Sequence, residues 1–188
     1  MNKKKLIKKR KSSPSNADEQ MIKNRELFLF DAVTDKTMLH LIKDIKFLDC
    51  KNHKPITLWI NSPGGSCTDG LALVNVIRMV KSPITTIINT EACSMGSFIS
   101  CVGDVRKMTS NAFWMAHDLK GGIHGDYEAK VIYRVEYLQK LWAIMVDVYR
   151  RHTKLTEEDL EIARHGELWL SAEECLEKGI IDEIIEIR

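Results

Sequence analysis

The sequence predicts an α/β fold in which a mainly parallel sheet is covered by helices. Two observations carry that prediction. Short β-branched or apolar runs alternate with segments whose apolar residues recur at helical spacing, and the connections between them are short. Residues able to do chemistry also gather at the carboxyl ends of the predicted strands, where α/β sheets place their sites.

The elements follow in order. Leu27-Phe28-Leu29-Phe30 reads as the first strand. Thr34 caps a helix whose apolar positions Met38, Leu41, Ile42, Ile45 and Leu48 keep helical spacing. Ile56-Thr57-Leu58-Trp59-Ile60-Asn61 is the second strand and ends at Ser62-Pro63-Gly64-Gly65. Thr68 or Asp69 caps the next helix, which carries Leu71, Leu73, Val74, Val76, Ile77 and Val80. Ile84–Asn89 is a β-branched third strand, Ser94 opens an apolar helix through Ile99, and a short strand falls near Ala112-Phe113-Trp114-Met115. A long helix spans roughly Asp126 to His152 with Val131, Val135, Leu138, Trp142, Met145 and Tyr149 along one face. A stripe that long reaches beyond a compact core, which implies oligomer contacts. Thr156 precedes a further helix, and Ser171-Ala172-Glu173-Glu174 is a capping box whose helix stops at Gly179.

With 188 residues, of which 44% are hydrophobic and 29% charged, the chain fits one soluble globular domain. The expected division is a basic, disordered tail over 1–24 and a folded domain over 25–188. Residues 1–11 hold seven Lys or Arg and no acid, so the rest carries 21 basic against 26 acidic residues, a net of −5. Such a tail reads as a nucleic-acid or membrane contact, as a targeting segment, or as a solubilising extension; the last is preferred, with no nucleic-acid or membrane partner expected. It lacks the apolar stretch of a secretory signal, and no run approaches the roughly 20 apolar residues of a membrane span. Five cysteines without C-x-x-C spacing point to reduced thiols in a cytoplasmic compartment, not to disulfides or a zinc site.

Ser94 is the residue on which function turns. At a strand-to-helix turn its hydroxyl is exposed and its own N–H lies free at a helix start, as in a nucleophile elbow. Ala92 takes the place of the first glycine of that signature. A serine at such a turn also serves as an ordinary N-cap, and the local sequence leaves both readings open. Nucleophilic serine needs a base. Of six histidines only His117 follows a strand, Phe113-Trp114-Met115-Ala116, and so falls near the other strand ends.

Several segments, in order, resemble the Clp protease proteolytic subunit family. Asn61-Ser62-Pro63-Gly64-Gly65 with Asp69-Gly70 is one, and Ala92-Cys93-Ser94-Met95-Gly96-Ser97 another. Trp114-Met115-Ala116-His117 is similar to the family's Met-Ile-His segment, and Gly121-Gly122 with Gly125 to the glycine-rich strand after it. Trp169-Leu170-Ser171-Ala172-Glu173-Glu174, then Gly179-Ile180-Ile181-Asp182, resembles its closing segment. The resemblance spans about residues 26 to 188. It implies a ClpP/crotonase-like fold of repeated β-β-α units with a mainly parallel sheet, covering helices and a long protruding handle helix.

The resemblance also implies roles. Ser94 is the expected nucleophile and His117 the general base, with the backbone N–H groups of Gly65 and Met95 as oxyanion hole. Substrate is expected to add a strand beside Ser66-Cys67 and Gly121-Gly122-Ile123. The third member departs from the pattern: Glu167 stands where the family has aspartate. Other departures are Asp118 and Leu119 in place of Gln-Pro and Lys120 in place of leucine, which alter the groove, and Thr57 in the strand family members use for ATPase docking. The implied activity is an ATP-dependent serine endopeptidase cutting extended polypeptides inside stacked heptameric rings. An AAA+ unfoldase would use the ATP, since the chain has no phosphate-binding P-loop. No cofactor or metal is expected. The alternatives are a catalytically impaired ring subunit, a crotonase-type acyl-CoA enzyme, and a virus-encoded capsid-maturation peptidase of the same fold.

Overall fold

The strand on which the sheet is assembled is β3 (Ile84–Cys93). In the computed structural model, which describes residues 16–120 and 128–188, its first half lies between β2 (Ile56–Ser62) and β4 (Val105–Thr109). Its last three residues pair instead with β5 (Phe113–Ala116). β1 (Glu26–Leu29) flanks β2, and β7 (Glu183–Ile185) flanks β4. β6 (Leu168–Leu170) pairs with β5, and this is the one antiparallel ladder among the described strands. The mostly parallel seven-stranded sheet is the fold class that the sequence predicts.

Seven helices accompany the described strands: α1 (Asn16–Lys23), α2 (Asp35–Lys51), α3 (Cys67–Met79), α4 (Met95–Ser100), α5 (Glu128–His152), α6 (Glu157–His165) and α7 (Ala172–Glu177). Thr34, Thr156 and Ser171 cap α2, α6 and α7, each in a reciprocal capping box. The cap of α3 is Ser66, not Thr68 or Asp69, and its hydroxyl accepts from the Asp69 N–H. The helix therefore starts directly after Gly65, so the Gly64-Gly65 turn and the helix start are one structure.

Several elements went beyond the sequence reading. β3 continues past Asn89 to Cys93, which carries it to Ser94. β4 was not foreseen because Val-Arg-Lys-Met-Thr has no apolar alternation; only Met108 and Thr109 are buried. Residues 16–23 of the expected tail form α1, whose Ile22 packs against the core. Residues 1–15 and the expected helix start at Asp126 lie outside the described residues.

Alternation buries Ile56, Leu58, Ile60 and Ser62 on one face of β2 and leaves Thr57, Trp59 and Asn61 on the other. The buried face meets α2, α3 and α4 through Met38, Ile45, Leu73, Ile77 and Phe98. On α5 the stripe divides. Trp142, Met145 and Tyr149 are buried, Val131 and Leu138 half-buried and Val135 exposed; off the stripe, Leu141 and Val148 are buried and Ile132, Tyr133 and Tyr137 exposed. Asp49 joins α2 to the start of β3, accepting from the Ser82 hydroxyl at 2.9 Å and from the N–H groups of Lys81 and Ser82. Among the described residues no helix is long and apolar enough to cross a membrane.

Candidate active site

Two glycines form the floor of the site. Gly64 has φ +89, and a Cβ there would lie 2.7 Å from the Ser94 Cβ and 2.8 Å from the Met95 nitrogen. Only glycine lets these backbones approach so closely. The turn is held on both sides. Ser62 accepts from the Gly64 N–H and donates to the Asp31 carbonyl, while the Gly64 carbonyl accepts from Val33 N–H. Gly65, φ +148, bridges to Val33, whose carbonyl would lie 2.3 Å from an added Cβ.

Ser94 stands at φ 53, ψ −120, the second of two non-glycine residues with positive φ among those described. A side chain held there costs about 1–3 kcal/mol and persists where neighbours impose it. Its hydroxyl makes no capping hydrogen bond, so the N-cap reading falls away. Its N–H is not free, as the turn alone implied, but donates to the Met115 carbonyl at 2.8 Å. Its carbonyl accepts from the Ser97 hydroxyl at 2.6 Å. What remains at the helix start is the N–H of Met95, the first residue of α4, which has no acceptor within the helix.

Strand register brings the other residues in. Cys93 faces Met115, so Ser94 and His117 leave neighbouring parallel strands at the same end. Ala116 faces Leu168 in the antiparallel β5–β6 ladder, and one further step sets Glu167 across from His117. The His117 Nδ1 meets the carbonyl of Asp118. Because a carbonyl only accepts, Nδ1 carries the proton and Nε2 is the basic nitrogen.

Glu167 has other partners. Trp169 Nε1 donates to one carboxylate oxygen and Lys120 Nζ to the other, each at 3.1 Å. The Trp169 indole, then Lys120 and more weakly His117, hold its carboxyl below the usual glutamate range. Sequence reasoning missed both donors. Trp169 had a signal, standing two residues after Glu167 in the strand that Glu167 precedes; Lys120 stands 47 positions away and had none.

A cavity of about 230 Å³ opens beside Gly65, lined by Ser66, Cys67, Leu119, Lys120 and Arg134. Burial, with Asp118 nearby, pushes the Cys67 thiol up; burial, with Glu91 and Glu167, pushes Cys93 up to about 11. Both thiols are therefore neutral near pH 7. The expected substrate residues Gly121, Gly122 and Ile123 lie outside the described residues. Among the described residues no group of three or more His, Cys, Asp or Glu could hold a metal ion.

Comparison with known proteins gives the family. The Clp protease family model matches residues 9–188. The chain belongs to the Clp protease family. It is 36% identical over 173 residues to the ATP-dependent Clp protease proteolytic subunit 1 of Chlamydia trachomatis, in a serovar D and a serovar A strain alike. The shared stretch is 89% of this chain and 90% of each relative. The family and the relatives together make the chain a peptidase of the Clp kind.

Proposed function

We propose that Ser94 is the nucleophile, His117 its general base, Glu167 the carboxylate that orients His117 by taking over the Nδ1–H that the Asp118 carbonyl holds in this structure, and the N–H groups of Gly65 and Met95 the oxyanion hole. The observation that carries the reading is the Ser94 turn itself: a positive-φ serine with no capping role, tied through its own N–H to the strand that leads into His117. His117 Nε2 takes the Ser94 proton as Oγ attacks the scissile carbonyl, and the oxyanion is met by Met95 N–H at the helix start and Gly65 N–H on the facing turn. The tetrahedral species collapses, the C–N bond breaks, and His117 returns the proton to the departing amine. Water, deprotonated by the same nitrogen, then releases the acyl group and regenerates Ser94.

Substrate would lie extended beside Gly65-Ser66-Cys67, over the adjoining cavity. Exposed Ile132, Tyr133, Val135 and Tyr137 on the N-terminal half of α5 support ring-to-ring packing, and the relatives' name supports ATP-dependent work as a proteolytic subunit; an AAA+ unfoldase partner and a cytoplasmic setting belong to the same proposal. One observation favours a second reading, a structural ring subunit: Glu167 is bound by Lys120 and Trp169 in place of His117.

The test is degradation of an unstructured protein by wild type, Ser94→Ala and Glu167→Ala, with particle mass and serine-reactive fluorophosphonate labelling measured alongside. Loss of degradation and of labelling in Ser94→Ala is the expected result. Assembled wild-type particles that neither label nor degrade would establish the structural subunit. Full activity of Glu167→Ala in intact rings would remove Glu167 from the triad.

A further inference from the structure

The departure from aspartate to Glu167 poses a physical problem. Glutamate has one more rotatable bond, and an exposed glutamate gives up rotamer freedom when it is fixed in one pose. Glu167 is 41% exposed, so packing does not fix it. Two donors do. Lys120 Nζ takes Oε1 and Trp169 Nε1 takes Oε2, one from each side of the carboxylate. Lys120 is itself 73% exposed, and ion pairs that open to water add little to global stability. The contact matters locally, beside His117.

Among the described residues the charges around His117 are few. On its own strand end stands Asp118, and across the β5–β6 ladder stands Glu167. Lys120 lies beyond Glu167, and Arg134 of α5 lines the same cavity as Lys120. The thiols of Cys93 on β3 and Cys67 on α3 are uncharged near neutral pH. Lys120 is thus the cation in direct contact with the carboxylate across from His117.

We propose that Lys120 is a positioning residue of this peptidase: with Trp169 it fixes the Glu167 carboxylate opposite His117, and its charge offsets that of Glu167 where the base works. The proposal rests on Glu167 orienting His117. Two separable effects follow. Removing Lys120 frees the carboxylate, which lowers turnover. It also leaves the glutamate charge uncompensated, which favours the protonated imidazole and moves the acid limb of the rate profile upward.

The experiment is the pH profile of Ser94-dependent hydrolysis of a fluorogenic peptide by the full chain, for wild type, Lys120→Leu, Lys120→Arg and Trp169→Phe, with particle mass recorded for each. In Lys120→Leu we expect kcat to fall about three- to fivefold, with KM within twofold. Its acid limb should move up by about half a pH unit. Lys120→Arg restores both. Trp169→Phe, which removes a neutral donor, lowers kcat and leaves the limb in place; should Lys120→Leu fail to assemble, Lys120→Gln, which removes the charge and keeps a polar side chain, is expected to show the same upward limb, and an unmoved limb there overturns the proposal. An unmoved limb in Lys120→Leu, or a change confined to KM, overturns the proposal while loss of activity in Ser94→Ala leaves the triad nucleophile standing. Hydrolysis that survives Ser94→Ala instead removes the catalytic reading, and this inference with it.

Discussion

Ser94 and Met115 are joined across the β3–β5 ladder, with the Ser94 N–H donating to the Met115 carbonyl at 2.8 Å, one residue past the Cys93–Met115 register pair. This bond does two things. It holds a non-glycine residue at φ 53, and it engages the Ser94 N–H, so that Met95 offers the next unpaired donor at the start of α4. Chemistry and strain come from one hydrogen bond.

Ser94→Gly therefore separates strain from function. Glycine adopts φ 53 without penalty, and the lost hydroxyl made no cap. After subtracting the greater freedom of glycine in the unfolded chain, stability should rise by about 1 kcal/mol while hydrolysis disappears. Urea midpoints check it, and a variant less stable than wild type would mean that the turn holds no strain.

Gly64→Ala makes the opposite case. Its methyl would lie 2.6 Å from the Cys93 carbonyl and 2.7 Å from the Ser94 Cβ, against backbone on two sides and at φ +89. The turn cannot yield without moving Gly65 and the Met95 nitrogen, the proposed oxyanion donors. Stability should fall by about 2–3 kcal/mol and kcat/KM by at least about 100-fold. Wild-type turnover in this variant would show the glycine turn to be uncoupled from catalysis.

Asp49 governs acid stability. Burial raises its pKa, but the Ser82 N–H and hydroxyl, His53 and the Lys81 N–H outweigh this and bring it to about 2 from 3.8. A carboxyl lowered in the folded state stabilises the fold above its unfolded value near pH 4, and that contribution is lost as pH falls through 2. Asp49→Asn should cost about 2 kcal/mol at pH 7, with the gap from wild type closing between pH 4 and 2. A constant gap across denaturation curves at those pH values would exclude the ionised carboxylate as its source.

The sequence disclosed most where one residue decides a local conformation. β-branched runs marked β2 and β3, side-chain caps marked α2, α6 and α7, and the ordered motifs marked Ser94, His117 and Glu167. Ser66 was legible too, since Ser-x-x-Asp over 66–69 is a cap pattern, but the nearer Thr68 and Asp69 competed with it. β4 was hidden because Arg106 and Lys107 interrupt it; it is a strand by virtue of lying between β3 and β7. The positive φ of Ser94 and the Lys120–Glu167 contact depend on partners 21 and 47 residues distant, which no window of sequence contains.

The division of β3 between two neighbours has a last consequence. Ile84–Ile88 are completed by β2 and β4, but the Ser94 turn needs β5, and Glu167 reaches its place only when β6 closes on β5. A ribosome that has released residues 84–100 has made the attacking group but neither β5 nor β6. On the proposed mechanism the attacking group stays idle until β5 and β6 have followed it out, so the order in which the strands appear delays the cutting edge.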